Sequence, residues 1–377
     1  MKLLFAPDSF KGSLSAQEVC KILTEAAAEC LPGAQCVSLP VADGGEGMVD
    51  ALLAAAGGER IFCRVQGPLG EPVEACYALL SDGSAAIEMA AASGLPLVPK
   101  ERRNPEKTST FGTGELIKDA LRRGCRKIVL GLGGSGTNDG GMGAAAALGV
   151  RFLDENEREL PPCGASMQAV RHIDRSGVLP ALRETKLTIA CDVENPLCGP
   201  KGAAAIYGPQ KGADAAMVER LDAGLKNLCT VMERESGISL LNTPGMGAAG
   251  GMALPLAAFF GAQLRPGLEI VLDALEFDKH LSGASLVVTG EGRTDEQSAM
   301  GKVACGVGKR AEAAGVPAIV LSGALAQGCE SLYTMGITAM FSCCSQVRPV
   351  EWQMEHAKEN LAFSARQLFR LIAAMQG

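Results

Sequence analysis

Short apolar runs alternate with longer stretches of helical periodicity at both ends of the chain. Leu3–Ala6 is a continuous apolar run, typical of a parallel strand buried on both faces. Apolar residues then recur at helical spacing over 19–31, after a capping box formed by Ser15 and Glu18. The alternation returns near the other end, where the predicted strands are 286–289, 318–321 and 339–342, followed by a closing helix through 361–372. Both ends therefore predict strands joined by helices, as in a doubly wound parallel sheet.

The middle of the chain has a different pattern. Strands 61–65, 74–80 and 85–89 are separated by Gly-Pro and Asp-Gly turns, which favours antiparallel pairing. From about residue 110 the α/β alternation resumes, with strands at 127–132 and 187–191 and a long helix over about 213–234. The predicted fold is α/β with two domains. Residues 1–70 and 270–377 form the doubly wound parallel sheet, and residues 71–269 form an inserted mixed α/β domain.

Length and composition exclude several classes of protein. The 377 residues suit two domains. A net charge of −7 without a block of Lys or Arg argues against a nucleic-acid partner. No apolar run reaches the ~18 residues of a membrane span, and the N-terminus has no apolar region of signal-peptide length. We therefore expect a soluble, cytoplasmic protein with no membrane partner.

The 14 cysteines and 3 histidines match no metal or nucleophile pattern. No C-x2-C pair is followed by a matching second pair, so a zinc site fails on spacing. Most cysteines lie in apolar segments and are expected to be buried in a reducing compartment, and Cys343-Cys344 is expected to form the buried end of a strand. The three histidines have polar or charged neighbours, so carboxylates and lysines are the expected acid–base groups.

Glycine-rich polar loops follow the predicted strands at the chain ends, where ligands bind in parallel α/β sheets. The loop 8–13 carries Lys11 and leads into a helix, so it is either a phosphate or carboxylate site or an ordinary connection. The loop 43–47 carries Asp43 and Glu46, which suit Mg²⁺ or the capped start of a helix. The segment 289–302 is either an active-site cluster or a surface salt-bridge patch, with these charged residues: Glu291, Arg293, Asp295, Glu296 and Lys302.

Further candidate loops lie in the predicted inserted domain. The sequence GLGGSG at 131–136 matches G-x-G-x-x-G, but the same pattern recurs at 245–250, so the match is weak. Asp192 ends a predicted strand, and Lys211 lies in a constrained loop before a helix. The continuation of the glycine loop offers hydroxyls, an amide and a carboxylate for a polar pocket: Ser135, Thr137, Asn138 and Asp139. There is no P-loop pattern and no G-x-S-x-G nucleophile elbow.

Seven segments are distributed along nearly the whole chain: APDSFKGSLSA at 6–16, PVADGGEG at 40–47, GLGGSGTNDGG at 131–141, CDVENPLCG at 191–199, YGPQKGA at 207–213, GAAGGM at 247–252 and TGEGRTDEQSAMGK at 289–302. Their types and their order resemble those of the bacterial glycerate kinases of the glycerate 2-kinase type. Gly136 stands where the family more often has Ala, and Glu194 where it often has Thr, and neither change removes a charged candidate.

The resemblance implies ATP-dependent phosphorylation of D-glycerate to 2-phosphoglycerate with Mg²⁺. It also implies a flavodoxin-like domain built from both chain ends, an inserted α/β domain, and an active site in the cleft between them. Phosphoryl transfer requires positioning and charge neutralisation more than covalent chemistry. In that setting Asp192 or Asp43 would be the base, and Lys11, Arg293 and Lys302 would neutralise the carboxylate and the phosphates.

The remaining roles stay open at the level of sequence. Candidates for the metal ion and the ribose are Asp139, Glu291 and Asp295, and the candidate metal ligands are Asp43, Glu46 and Asp295. Further candidates for substrate or nucleotide binding are Asp8, Ser9, Ser135, Thr137, Asn138, Lys211 and Lys302. The choice between the 2- and 3-hydroxyl, the tolerance of related hydroxy acids and homo-oligomerisation are also open.

Two alternatives belong to other functional classes. An NAD(P)-dependent dehydrogenase would use the loop 131–136, with Asp154 after the predicted strand 150–153 as the ribose acid. A non-enzymatic ligand-binding protein of periplasmic-binder shape would need a secretion signal or an added DNA-binding domain, and neither is visible.

Overall fold

The structure, a computed structural model, describes residues 1–41, 47–299 and 301–376. These residues fall into two units. The first unit comprises the described residues of Met1–Asp43 and Leu268–Gly377, and the second unit comprises those of Gly44–Gly267.

The strands of the described residues are, in chain order, β1 (Lys2–Phe5), β2 (Gln35–Ser38), β3 (Gly58–Gln66), β4 (Pro72–Leu80), β5 (Ala85–Glu88), β6 (Lys127–Gly131), β7 (Arg151–Leu153), β8 (His172–Asp174), β9 (Lys186–Ala190), β10 (Gln263–Arg265), β11 (Leu286–Thr289), β12 (Arg293–Thr294), β13 (Ala318–Ser322), β14 (Ala324–Leu325) and β15 (Ile337–Ser342).

The α-helices are α1 (Ala16–Cys30), α2 (Met48–Ala56), α3 (Ala90–Ser93), α4 (Phe111–Arg122), α5 (Met142–Ala147), α6 (Ala203–Tyr207), α7 (Ala215–Ser236), α8 (Ala253–Phe260), α9 (Gly267–Ala274), α10 (Phe277–Leu281), α11 (Val303–Ala313), α12 (Val350–Glu355) and α13 (Ala357–Gln376). Short 3₁₀ helices span Leu95–Leu97, Lys100–Arg102, Gly164–Ala169, Pro180–Glu184, Pro209–Lys211, Ala248–Gly250, Glu296–Ala299 and Cys329–Met335. None of the described helices combines the length and the apolar character needed to cross a membrane.

The main sheet of the first unit is parallel, in the order β15-β13-β11-β1-β2. Counted along the chain within this sheet, the order is the 2-1-3-4-5 arrangement of flavodoxin-like folds. The strand order reverses direction between β1 and β11, which makes this pair the topological switch point where such folds bind ligands. The predicted flavodoxin-like sheet from both chain ends is therefore confirmed.

The apolar run at the N-terminus forms β1, an inner strand with a neighbour on each side. Leu3, Leu4 and Phe5 are fully buried, as a strand flanked by two neighbours and covered on both faces requires. Helix α1 begins with the predicted capping box: Glu18 N donates to Ser15 Oγ, and Ser15 N donates to the Glu18 carboxylate at 2.8 Å. Helices α1 and α13 then cover one face of the sheet.

The second unit has a mixed sheet of order β10-β9-β6-β5-β4-β3. The pairs β3–β4 and β4–β5 are antiparallel, as predicted, and the pairs β5–β6, β6–β9 and β9–β10 are parallel. The long helix α7 begins at an N-cap, where the side chain of Asp214 accepts a hydrogen bond from Met217 N at 2.8 Å. This unit has its own extended apolar core.

The division of the chain differs from the predicted boundaries of 70 and 269. The strand β3 lies before residue 70, yet it pairs with β4 over its whole length and so belongs to the sheet of the second unit. A long hairpin keeps its two strands in one unit, because separating them would leave both ladders unpaired. The exact extent of each functional domain stays a prediction.

The cysteines are free thiols throughout. Cys343 is buried, as expected, but Cys344 is exposed. The expectation that both form the buried end of a strand is wrong for Cys344, because β15 has ended at Ser342 and lies at the edge of its sheet.

Candidate active site

A cleft of about 590 Å³ lies in the first unit, where the main parallel strands end. Its lining residues follow β1, β11, β13 and β15, which are neighbours in the sheet. Thr289 Oγ1 donates to Ala6 O at 2.8 Å and so joins the ends of β11 and β1 across 283 positions of sequence. The cleft brings together seven of the predicted site residues: Asp8, Ser9, Lys11, Glu291, Arg293, Asp295 and Lys302.

The loop after β1 presents a lysine and two backbone amides at its tip. Phe10 and Leu14 exchange backbone hydrogen bonds of 2.8 and 3.0 Å and close the loop. Lys11 is exposed, and the N–H groups of Lys11 and Gly12 donate no hydrogen bond within the part of the chain that the structure describes. A cation beside unused N–H donors is an arrangement that suits a phosphate or a carboxylate.

Asp8 stands at the base of the same loop. Its backbone N–H donates to Gly290 O at 2.8 Å, and its Oδ1 accepts from Ser9 N at 2.6 Å. The Asp8 side chain is buried but lines the cleft. The first loop and the start of the segment 289–302 are therefore fixed to each other by main-chain contacts.

Glu291 is the buried acid of the second loop. Its backbone N–H donates to Ser322 Oγ at 3.2 Å, and its Oε1 accepts from Thr294 Oγ1 at 3.3 Å. Burial raises the pKa of Glu291 above its usual range, while a hydrogen bond from Ser298 and the nearby charge of Lys302 oppose that rise. The group is thus a carboxyl at the cleft wall whose charge is sensitive to what binds beside it.

The other charged residues of this loop are more accessible. Arg293 Nε lies 3.5 Å from Asp295 Oδ2, and the arginine side chain is 70% exposed, so this ion pair contributes little to stability. Lys302 is half-buried and precedes α11, whose first turn receives no side-chain cap. Gly292 permits close approach of the two loops, because a Cβ there would lie 3.3 Å from Lys11 N.

The described residues of the cleft supply some, but not all, of the oxygen ligands that Mg²⁺ requires. Within the described residues no group of three or more His, Cys, Asp or Glu side chains is arranged to hold a metal ion. Mg²⁺ is usually bound through one or two carboxylates together with substrate phosphates and water. Asp8, Glu291 and Asp295 supply carboxylates in the same cleft, which is the chemistry that Mg²⁺ on a polyphosphate requires. Asp43 and Glu46, the other predicted ligands, lie outside the described residues.

A second group of predicted residues forms a buried polar cluster in the second unit, comprising Ser135, Thr137, Asn138, Asp139 and Lys211. Lys211 is only 2% exposed, and its Nζ donates to Ser135 Oγ at 2.8 Å and to Thr137 O at 2.7 Å. Burial lowers the pKa of Lys211 to about 7, and the charge of Asp139 partly opposes the shift. The lysine binds the glycine loop 131–141 from a position 76 residues away from Ser135.

Asp139 has structural partners on both of its oxygens. Oδ2 accepts from Thr110 N at 2.7 Å, from Thr110 Oγ1 at 2.8 Å and from Gly143 N at 3.1 Å, and Oδ1 accepts from Gly141 N at 3.0 Å. The side chain is fully buried. The structure therefore uses Asp139 to join the starts of α4 and α5, and its role toward a metal ion or a ribose stays a prediction.

Unsatisfied polar groups lie in the same loop. Asn138 Oδ1, Asn138 Nδ2 and Thr137 Oγ1 are buried and have no hydrogen-bond partner within the described residues. Gly250 allows the loop 245–251 to pack on them, since a Cβ at this positive-φ position would lie 2.4 Å from Thr137 O. Buried polar atoms without partners are costly, so these atoms are the ones that a bound water or ligand would satisfy.

Asp192 is exposed and follows the buried strand β9, as predicted. Its Oδ1 accepts a hydrogen bond from Gly267 N, the first residue of α9, at 2.8 Å. This contact fixes one oxygen of the carboxylate. Asp192 does not belong to the buried cluster around Lys211.

Part of the cleft consists of residues that were not among the predicted site residues. One wall is formed by residues after β13 and by the start of the C-terminal helices, including Leu325, Ala326, Val350 and Met354. Their apolar character resembles that of core residues, so the sequence carries no signal that they line a cleft. Glu88 was also missed: its Oε1 accepts from Gly47 N and Val49 N at 3.0 and 3.2 Å and so caps the start of α2.

The dehydrogenase alternative has no support. The strand β7 pairs antiparallel with β8 in a separate two-stranded sheet, so it does not continue the parallel sheet after β6. Asp154 closes a local turn, in which its Oδ1 accepts from Asn156 N and Arg158 N. A Rossmann dinucleotide site requires a parallel β-α-β unit with the acid at the end of its second strand.

Comparison with known proteins agrees with the motif order. A sequence profile described as "Glycerate kinase family" matches residues 3–373. The chain is 46% identical to "Glycerate kinase" of Bacillus subtilis (strain 168), over 98% of this chain and 97% of that protein. It is 44% identical to "Glycerate 2-kinase" of Escherichia coli (strain K12), over 99% of this chain and 98% of that protein.

A crystal structure assigned as glycerate kinase 2 from Salmonella typhimurium LT2 has the same fold. Its TM-score is 0.90 at 44% identity, and the match covers 100% of this chain and 99% of that one. The family profile, the relatives and the solved structure thus extend over nearly the whole chain, in agreement with the seven ordered segments and with the strand order of the first unit. The chain belongs to the glycerate kinase family.

Proposed function

We propose that this protein transfers the γ-phosphoryl group of ATP to the 2-hydroxyl of D-glycerate, with Mg²⁺, to give 2-phosphoglycerate. The observation that carries the proposal is the cleft at the switch point of the first unit, where Lys11, Arg293 and Lys302 meet the acids Asp8 and Glu291. The names of the relatives, glycerate kinase and glycerate 2-kinase, support the same acceptor.

Charge is the main requirement of the proposed reaction. Both substrates are anions, and charge on the transferred group is spread over its oxygens in the transition state. Cationic side chains and backbone amides stabilise such charge most effectively when they are held in place before the reaction begins. The hydrogen bond from Asp8 N to Gly290 O, together with the close approach of Gly292 to the backbone of Lys11, provides that fixed arrangement in the cleft.

In this proposal Mg²⁺ is held through Asp8, Glu291 or Asp295 together with the phosphates, and it neutralises charge on the nucleotide. Asp43 and Glu46 remain candidates for the same task. The hydroxyl of glycerate requires a proton acceptor, and Asp192 and Asp43 are the two candidates. Asp192 is suited to the role because one of its oxygens is held by Gly267 N and its side chain is exposed.

The substrates are small molecules, so the proposal requires neither a nucleic acid nor a membrane. The use of ATP favours the cytoplasm. The 14 cysteines form no disulfide, which favours a reducing compartment of that kind.

The test uses the purified full-length protein with ATP, Mg²⁺ and D-glycerate. ADP formation reports turnover, and enolase added to the products identifies the isomer, because enolase dehydrates 2-phosphoglycerate but not 3-phosphoglycerate. Formation of phosphoenolpyruvate without a mutase supports the 2-hydroxyl. ADP formation without phosphoenolpyruvate would assign the 3-hydroxyl, and no ADP formation would refute the proposed activity.

A further inference from the structure

We propose that the cleft of the first unit is the nucleotide site. In this site the apolar wall covers the base and the ribose, and the basic rim, formed by Lys11, Arg293 and Lys302, binds the phosphates. This inference rests on the proposed function for the identity of the nucleotide. It goes further by assigning the cleft to ATP and not to glycerate. The apolar wall consists of four residues outside the seven family segments, and the inference adds them to the binding site: Leu325, Ala326, Val350 and Met354.

The size and the lining of the cleft distinguish the two substrates. Its volume of about 590 Å³ lies in the ~300–1,000 Å³ range of pockets that enclose drug-sized ligands. Glycerate carries an oxygen on every carbon and would leave most of the apolar wall in contact with water. A purine has two flat faces of low polarity, and covering such faces with hydrocarbon side chains is favourable in proportion to the area removed from water.

The apolar wall lies beside the loop tip that carries Lys11. A Cβ placed on Gly12 would lie only 2.8 Å from Met354 Cε, which shows that α12 reaches the tip of the first loop. Ala326 N donates to Thr294 O at 2.8 Å, so the other side of the wall is fixed to the segment that carries Arg293 and Asp295. A nucleotide can therefore contact the apolar wall and the basic rim at the same time.

The amides in the cleft are fixed in position and keep unused hydrogen-bonding capacity. Asn360 Nδ2 donates to Gln353 Oε1 at 2.9 Å, and Asn360 Oδ1 accepts from Ser345 Oγ at 3.2 Å. Gln353 Nε2 donates to Gln346 O at 2.6 Å. Each NH₂ group has a second hydrogen, and each amide oxygen has a second lone pair. Groups of this kind bind the nitrogen-rich edge of a base, for which glycerate has no counterpart.

The phosphate end combines three kinds of positive potential. Lys11 and Lys302 form no ion pair of 4 Å or less within the described chain, so their charge is available to a ligand. The backbone N–H groups of Lys11 and Gly12 add donors. Helix α11 begins at Val303, directly after Lys302, and the positive end of its dipole has no side-chain cap.

A second cleft serves as the internal comparison. It has about 550 Å³ and lies in the second unit, lined by Arg175, Val178, Leu182, Arg183, Phe259 and Phe260. It offers aromatic rings and arginines, but no carboxylate is among these lining residues, and it does not lie at the switch point of a parallel sheet. A magnesium-bound nucleotide therefore fits the first cleft better.

The experiment introduces a negative charge into the apolar wall. Val350→Asp and Met354→Asp change side chains that are 68% and 42% exposed, so both variants are expected to fold. Val347→Asp is the matched control, because Val347 is fully exposed nearby in sequence and does not line the cleft. Arg183→Ala reports on the second cleft. Thermal unfolding verifies the fold of each variant.

Two measurements show which of the two substrates the cleft binds. Calorimetric titration with ADP and Mg²⁺ gives nucleotide affinity without turnover, and steady-state kinetics give KM for ATP and for D-glycerate. Each wall variant is expected to weaken ADP binding and raise KM for ATP about tenfold, because the new carboxylate repels the phosphates and is desolvated by the base. KM for D-glycerate should change less than twofold, and both controls should match the parent protein.

The outcomes keep this inference apart from the proposed function. A higher KM for D-glycerate with unchanged ADP binding would overturn the assignment and give the cleft to the acid. The assignment would also be overturned if both wall variants fold and keep the parent's ADP affinity and KM values. Weaker ADP binding in Arg183→Ala alone would overturn it as well. Neither outcome would argue against the kinase activity. If the parent protein binds ADP and the wall variants do not, but D-glycerate is not phosphorylated, the nucleotide site stands and the proposed acceptor fails.

Discussion

The two units hold their lysines in opposite environments. In the first unit Lys11 is exposed at a loop tip and Lys302 is half-buried at the rim of an open cleft, and neither has an ion-pair partner among the described residues. In the second unit Lys211 is sealed from solvent and donates to Ser135 and Thr137. All three lysines lie in glycine-rich loops that follow the family pattern. The comparison shows that such a loop can present a lysine to a ligand, or that a buried lysine can hold such a loop together.

The difference has a physical cause. A charge at a cleft rim stays hydrated until a ligand replaces the water, so it costs the free protein little. A charge that is fully buried must be compensated by its neighbours or must lose its proton. We therefore expect substitutions in the cleft to change activity and substitutions around Lys211 to change stability.

The largest effect is expected for the acids proposed as base. Asp192→Asn keeps an oxygen that can accept from Gly267 N, so the local structure should persist while the proton acceptor is lost. If Asp192 is the base, kcat falls about 10²–10⁴-fold, as is typical of general-base removal. ADP release with saturating D-glycerate measures the effect, and Asp43→Asn is assayed in parallel. Turnover near the parent value in both variants would show that neither acid is the base.

The next largest effect tests the open cleft. Lys302→Ala removes a cation at the rim and should lower kcat/KM about tenfold to a hundredfold, which corresponds to one charge-assisted hydrogen bond. Lys309→Ala is the matched control, since Lys309 lies exposed on α11, the helix that begins directly after Lys302, and does not line the cleft. The thermal unfolding midpoint should stay the same in both variants. A large loss of stability in Lys302→Ala without loss of activity would remove the distinction between the two units.

Substitution of the buried Lys211 should lower stability, in contrast to substitution of Lys302. Lys211→Ala leaves a cavity and unpaired oxygens, so the free energy of unfolding should fall by about 2–4 kcal/mol. Lys211→Met keeps most of the volume and removes the buried amino group, so it should lose less. Differential scanning calorimetry measures both variants. Parent-like stability of Lys211→Ala would show that the lysine does not hold the loop.

The pH dependence of stability provides a finer test of the same group. Burial lowers the pKa of Lys211 to about 7 from its ordinary value of 10.5. Between these two values the unfolded chain binds a proton that the folded protein does not, so stability rises with pH by up to about 1.4 kcal/mol per pH unit. Below about pH 7 both states bind the proton, and this contribution becomes constant.

Thermal unfolding of the parent protein and of Lys211→Met from pH 6 to pH 9 isolates this contribution. The parent protein should gain stability relative to the variant as the pH rises above 7. A stability difference that does not change over this range would show that the buried lysine keeps its ordinary pKa.

The smallest expected effect concerns Glu88, whose partly buried carboxylate has main-chain partners. Its Oε1 caps Gly47 N and Val49 N at the start of α2. Glu88→Ala should destabilise the protein by about 1 kcal/mol, as loss of a helix cap does. Glu88→Gln, which keeps an acceptor oxygen, should recover part of the loss. Equal stability of both variants and the parent would show that Glu88 contributes nothing to the start of α2.

The sequence by itself determined the features that depend on near neighbours. The buried run Leu3–Phe5 and the capping box at Ser15 involve residues a few positions apart, so the hydrophobic pattern and the residue types predict them correctly. The antiparallel strands β3 to β5 were predicted for the same reason, from their short turns. The ordered family segments also identified the loops that carry the charged candidates.

Only the tertiary structure decided which loops meet and which groups are sealed. Lys211 and Ser135 are 76 positions apart, and Asp139 and Thr110 are 29 apart, so no local pattern indicates that these groups satisfy each other in the interior. Val350 and Met354 of the cleft wall are apolar residues, and apolar residues are usually found in a core, so their type alone did not indicate that they line a cleft. A side chain's type sets which interactions it can make, but its exposure to solvent depends on chain segments far away in sequence, because burial is a property of the packed fold.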